Sequence, residues 1–169
     1  DIILGDHGVI SQTGGTLRIA TTGNVTSVET VNPSVGARDD LHGGSDADRI
    51  LGGQGDDFIA GNEGNDVILG DQGVIDFAAD GDLQTVDQVQ SYLGNGAGDT
   101  IEGNAGADMV IGGLGDDTIH GDAASPGTGD EADVLIGDNG IVSLSQGKFV
   151  AIQTTDDEEG TGGADAIAG

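Results

Sequence analysis

The sequence predicts an all-β solenoid, in which very short parallel strands stack on copies of themselves and glycine-rich turns join them. Three observations predict it. Residues 43–69 divide without remainder into three blocks of nine, GGSDADRIL, GGQGDDFIA and GNEGNDVIL. Each block opens on glycine, carries aspartate at its sixth position (Asp48, Asp57, Asp66) and isoleucine at its eighth (Ile50, Ile59, Ile68). The composition also excludes an ordinary core, since 34 of the 169 residues are glycine while Phe numbers three, Tyr one and Trp none.

One block can be read physically. Glycines at positions one, two and four are expected to supply positive φ, which other residues enter only at a cost. Six residues of turn deliver a carboxylate, and three remain for a strand whose middle side chain alone must point inward. So short a strand needs copies to stack on. With two blocks per coil, Asp39 falls over Asp57 on one edge and Asp48 over Asp66 on the other. Each edge then offers carboxylates and turn carbonyls, hard oxygen donors of the kind that suit Ca²⁺.

Charge points the same way. Asp and Glu number 31 against four Lys and Arg, a formal net charge of -27. Without counterions such a chain repels itself and resembles a disordered one. Calcium cancels charge and ties coils together, so folding is expected to be linked to metal binding. No basic patch exists to meet nucleic acid, and no apolar run of about 18 residues is present to span a membrane. Zero cysteines exclude disulfides and thiolate metal sites.

In chain order, the sequence opens in mid-repeat. The phrase DIILGD at Asp1 returns as DVILGD at Asp66 and DVLIGD at Asp133, followed by HGVI, QGVI and NGIV. A long period of roughly 66 residues is thus laid over the short one. It divides the chain into unit 1 (1–65, insert hairpin 9–30, roll 34–65), unit 2 (66–132, hairpin 74–93, roll 94–122, loop 123–129) and a partial unit 3 (133–169, hairpin 141–155, roll 160–169). Hairpin turns are expected at Gly14-Gly15, Asp80-Gly81 and Gln146-Gly147, with Asp80-Gly81 the strongest signal. Leu17 and Ile19 share one face of the first insert, and the third ends in the acidic run 156–159.

The strand before each insert has three aliphatics in a row: Ile2-Ile3-Leu4, Val67-Ile68-Leu69 and Val134-Leu135-Ile136. The middle one belongs inside, so the flanking two imply that the hairpin folds back over the outer face. Met109-Val110-Ile111 shows the same pattern, so a neighbouring chain or hairpin is expected there too. After Asp117 the period slips by seven residues, which leaves open whether Asp133 takes the place beside Asp108. Asp165 and Ile167 restore the phase near the end.

GGQGDDFIA and GGLGDDTIH resemble the nonapeptide of the RTX calcium-binding family, G-G-x-G-x-D followed by any residue, a large aliphatic and any residue. The likeness covers 34–69 and 94–120, with three partial stretches elsewhere. It implies a right-handed parallel β-roll of bacterial secreted or surface proteins, unfolded without calcium and folded with it. The family's calcium-binding aspartates fall on Asp39, Asp48, Asp57, Asp66, Asp99, Asp108 and Asp117, and the phase adds Asp133 and Asp165. Asp1 lacks a preceding turn. Asp56 and Asp116, at position five, are expected to be surface charges or carbonyl donors.

No catalytic motif is present: H-E-x-x-H, G-x-S-x-G and a thiol nucleophile are all missing. His7, His42 and His120 fall on a turn and two outward strand positions. The loop DFAADGD at 76–82 lacks the ligand ladder and flanking helices of an EF-hand. The expected function is therefore structural: a rigid, calcium-set segment of a large extracellular or cell-surface bacterial protein, whose partners are calcium and neighbouring repeats. A secretion and folding module of a toxin or exoenzyme is the first alternative. A surface- or carbohydrate-binding module is the second, resting on Phe77, Tyr92 and Phe149.

Overall fold

A computed structural model describes residues 1–13, 25–32, 34–122, 131–156 and 162–169. The expected turn at Gly14-Gly15, the face of Leu17 and Ile19, the loop at 123–129 and the acidic run beyond Asp156 lie outside the described residues. Those described contain sixteen strands and no helix. From Asp40 onward the roll strands alternate between two parallel sheets. The first orders β1 (Ile2–Leu4), β5 (Arg49–Leu51), β7 (Val67–Leu69), β11 (Met109–Ile111) and β13 (Val134–Ile136). The second orders β4 (Asp40–Gly44), β6 (Phe58–Glu63), β10 (Thr100–Ala105), β12 (Thr118–Asp122) and β16 (Ala166–Ala168).

The register keeps identical block positions side by side. Ile50 pairs with Ile68 and Ile68 with Val110, while Ile59 pairs with Ile101 and Ile101 with Ile119. These eighth-position side chains form one core between the sheets, and all six are fully buried. A branched aliphatic on every rung supplies dry contact that strands of three to six residues could not find alone. The register holds where β7 and β11 are separated by the second insert, so stacking, not sequence proximity, sets it.

A third sheet is antiparallel and contains the inserts, in the order β2 (Gly8–Gln12), β3 (Val25–Thr30), β8 (Gly73–Asp76), β9 (Gln88–Ser91), β14 (Gly140–Ser145) and β15 (Lys148–Thr154). It covers the outer face of the first parallel sheet. Val67, Leu69, Met109, Ile111 and Ile136 are buried there against Val25, Val28, Ile75, Phe77, Val89 and Val142. The runs of three aliphatics therefore serve two cores, the middle residue in one and its neighbours in the other.

The inserts differ from the expected hairpins in two ways. Their first strands start one residue ahead of the expected bounds at 9, 74 and 141, since β2, β8 and β14 begin at Gly8, Gly73 and Gly140. Asp80-Gly81 is not a tight turn between strands, because β8 and β9 part after the Asp76–Gln88 pair. Residues 77–87 instead form a broad connection whose Phe77 and Val86 join the core. The tight turn is Gln146-Gly147, where φ is 51° and 69° and β14 runs straight into β15.

Candidate metal centre

Each strand of the two parallel sheets is entered through an aspartate, and stacking turns these aspartates into two ladders. Asp48, Asp66, Asp108 and Asp133 run along the edge of the first sheet, with Asp1 at its start. Asp39, Asp57, Asp99, Asp117 and Asp165 run along the second. Every rung is tied to the next in the same way, the amide N–H of one aspartate donating to Oδ1 of its neighbour. The lengths are 2.8 Å for Asp39 to Asp57, Asp48 to Asp66, Asp57 to Asp99 and Asp66 to Asp108. They are 2.7 Å for Asp99 to Asp117, 2.9 Å for Asp108 to Asp133 and 3.0 Å for Asp117 to Asp165. Asp133 thus takes the place beside Asp108 despite the slipped period, and the amino group of Asp1 contacts Oδ1 of Asp48.

One carboxylate oxygen per rung is left over. Oδ2 of Asp39, Asp48, Asp57, Asp66, Asp99, Asp108 and Asp117 is buried without a hydrogen-bond partner. An unpaired buried polar atom costs about 1–3 kcal/mol, and more when charged, so seven in register need a common explanation. The surroundings worsen the cost. Burial first, and neighbouring carboxylates second, push Asp57 up to about 6, Asp108 and Asp117 to about 7 and Asp99 to about 9. Arg49 and the amino group of Asp1 are cations that act on Asp48 and Asp66, and the Arg49 guanidinium also donates to the Asp48 carbonyl at 2.8 Å.

The space in front of those oxygens is made by the first glycine of each block. A Cβ on Gly43 would run into Oδ2 of Asp48 and the carbonyl of Gly61. A Cβ on Gly70 would run into Oδ2 of Asp99 and the carbonyl of Gly112, and one on Gly112 into Oδ2 of Asp117 and the carbonyl of Gly137. This corrects the expectation that position one needs positive φ. Among the described blocks the left-handed residues stand at positions two and four, for example Gly44 (φ 111°), Asn62 (φ 80°), Gly55 (φ 144°) and Asp46 (φ 71°). Position one is glycine for room, and the room is lined by a carboxylate oxygen of its own turn and a carbonyl of the next coil.

That donor set fits a hard divalent cation. Among the described residues no group of three or more His, Cys, Asp or Glu side chains converges. An ion in front of an Oδ2 atom would meet carboxylates one or two at a time together with main-chain carbonyls, a donor set of the kind that suits Ca²⁺. Asp56 and Asp116 are exposed, as position five implied. Among the insert aromatics, Phe77 is buried, Tyr92 is half-buried with its hydroxyl donating to Glu29 at 2.7 Å, and Phe149 is exposed. These do not make an aromatic platform.

Three further aspartates join the second ladder's edge. Asp6, Asp71 and Asp138 stand at position two of the turns from which the inserts depart. Oδ2 of Asp6 accepts the N–H of Gln54 at 2.6 Å. Asp71 is almost wholly buried, its Oδ2 accepting from Leu114 at 2.5 Å and its Oδ1 from Ala97 at 3.3 Å. Burial, then the charges of Asp117 and Asp57, push it up to about 8. The signal was present in the thrice-repeated phrase ending Gly-Asp, but position two is normally read as a conformational site.

Stacked strands with carboxylate-and-carbonyl ladders on both edges define a calcium-binding repeat solenoid. The profile of the RTX calcium-binding nonapeptide repeat (4 copies) matches residues 38–74 and 93–125, so these two stretches are RTX calcium-binding repeats, and calcium is their cofactor. Such repeats are structural and not catalytic. No curated protein and no solved structure was found to match the chain.

Proposed function

We propose that this chain is a calcium-set structural segment of a secreted or cell-surface bacterial protein, part of a stalk, filament or surface layer. In this reading the two parallel sheets are the walls of a right-handed β-roll, organised as units 1–65, 66–132 and 133–169. Asp39, Asp48, Asp57, Asp66, Asp99, Asp108, Asp117, Asp133 and Asp165 ligate the ions through the oxygen not used by the ladder. The observation that carries the reading is the row of seven buried Oδ2 atoms without a partner. A net charge of -27 makes the unloaded roll self-repelling, and calcium removes both the repulsion and the orphaned acceptors. The chain then stays unfolded where calcium is scarce and sets rigid where it is plentiful.

The test is a calcium titration from a chelated start, followed by far-UV circular dichroism and sedimentation. A cooperative coil-to-β transition with compaction is expected. A chain already fully folded in chelator would refute the coupling and would assign the stability to the two apolar cores.

A further inference from the structure

The 66-residue period has a geometric meaning. Adjacent strands of a sheet lie about 4.8 Å apart, so two roll coils and one two-stranded insert advance by the same distance. The first insert strand sits over the coil it leaves: a Cβ on Gly8 would meet Leu4, one on Gly73 would meet Leu69, and one on Gly140 would meet Ile136. In the order of the two sheets, β3 then falls over β5 and β9 over β11, each an insert-free coil. Among the described residues β15 has no roll strand beneath it.

Burial in the third sheet falls away at both of its edge strands. The cross-strand row Ile10, Val28, Ile75, Val89, Val142 and Ile152 points to the roll. Its four middle members are 0% exposed, whereas both ends of the row are open: Ile10 is 44% exposed over the edge coil of β1, and Ile152 is 50% exposed with all of β15 open and no coil beneath it among the described residues. Phe149, paired with Leu144, is 54% exposed on the same side.

The lateral seam between inserts is also built twice. Thr30 pairs with Gly8 in its own insert, and its Oγ1 accepts the N–H of Gly73 at 2.9 Å and donates to the Gly73 carbonyl at 3.4 Å. Ser91 pairs with Gly73, and its Oγ treats Gly140 in the same way at 2.9 and 3.5 Å. Thr154 pairs with Gly140 and holds the equivalent place, yet it is exposed.

We infer that the underside and outer edge of β15 form a docking seat for a further repeat unit of this type. An insert-free coil of two nonapeptides packs beneath Phe149 and Ile152, and a glycine-led strand is clasped by the Thr154 hydroxyl. A second copy of this chain does not fit flush, because its β1 already carries β2 in the place β15 would need. The inference rests on the proposed reading of the chain as a stacked structural array.

The test extends the chain after Gly169 with a repeat of residues 104–156, which keeps the nine-residue phase. In calcium, amide exchange over 148–154 should slow about tenfold or more relative to the unextended chain. Thr154→Val should reverse part of that gain in the extended chain and leave the unextended chain unchanged. Unchanged exchange at 148–154, or an added unit that fails to order beside an intact chain, would overturn the proposal. So would concentration-dependent association of the unextended chain that protects β15, since the seat would then belong to a second copy. The unextended chain's calcium transition, recorded in the same series, tests the underlying reading separately.

Discussion

Two glycine-to-alanine changes separate the oxygen-lined room from the turn conformation. Gly70 has no left-handed φ, but its Cβ would meet Oδ2 of Asp99, the Gly112 carbonyl and, at 3.1 Å, Cδ1 of Ile101. The isoleucine can turn aside. The other two cannot move cheaply, because Asp99 accepts from the Asp57 amide at 2.8 Å and the Gly112 carbonyl from Asp71 at 3.1 Å. Gly44 is the converse case, with φ at 111° and nothing within 4 Å of an added Cβ. Gly44→Ala should therefore lower stability by about 1–3 kcal/mol of strain at every calcium concentration. Gly70→Ala should remove a site. Above saturation each site adds about 1.4 kcal/mol of stability per decade of free calcium, and a site held at a hundred times its Kd adds about 2.7 kcal/mol. The assay is denaturant unfolding across a calcium series, plotted as stability against the logarithm of free calcium. Gly44→Ala should shift the line down in parallel, and Gly70→Ala should lower its slope by about 1.4 kcal/mol per decade. A Gly70→Ala line parallel to the parent's would refute the assignment of that space to a cation.

Three other outcomes follow from the same geometry. Without metal, folded Asp57, Asp71, Asp99, Asp108 and Asp117 titrate above the unfolded value of 3.8, so the folded state holds more protons between that value and about 9. Stability in chelator is then greatest below the unfolded value and is lost as pH rises. Acidifying a chelated sample from about pH 9 to about pH 5 should raise its β content, and a fall would contradict the sign. Asp57→Asn should weaken calcium-linked folding, whereas Asp56→Asn, on the exposed position beside it, should change stability by less than about 0.5 kcal/mol. Equal effects would place the ligands elsewhere. Val67→Thr with Leu69→Thr removes apolar contact beneath the third sheet at a cost of about 3 kcal/mol or more, and should speed amide exchange over 76–93. Exchange there unchanged would mean that the insert does not depend on that face.

Much of the fold is periodic, and periodic features are legible. A residue that returns every nine positions must do the same job each time, which is why the Ile50, Ile59 and Ile68 core and the Asp48 and Asp66 rungs could be read from spacing. The outward aliphatics of Val67 and Leu69 told of a cover for the same reason, since an apolar pair on a solvated face is unexplained without one. What spacing does not carry is the reason a residue type recurs. Glycine at positions one, two and four looks alike in sequence, yet Gly44 is chosen for its φ and Gly43 for the oxygen atoms opposite it. The Asp80-Gly81 dipeptide has the right turn chemistry, but Phe77 and Val86 gain more by reaching the core than the strands gain by closing early.

The inserts also alter what calcium must accomplish. A bare roll of this composition has the narrow core of six eighth-position aliphatics and little else to oppose its charge. The third sheet adds a second, larger cluster on one wall only. Asp71 connects the two systems, because it leaves the turn where the insert departs and receives amides from Ala97 on its own coil and Leu114 on the next. The insert is thus fastened at its exit to the aspartate-lined edge and along its length to the apolar wall. Loading the ladder should then order 73–91 in the same transition as the roll. An insert that orders at a lower calcium concentration than β10 and β12 would show that the apolar wall nucleates the fold and that the ions lock it afterwards.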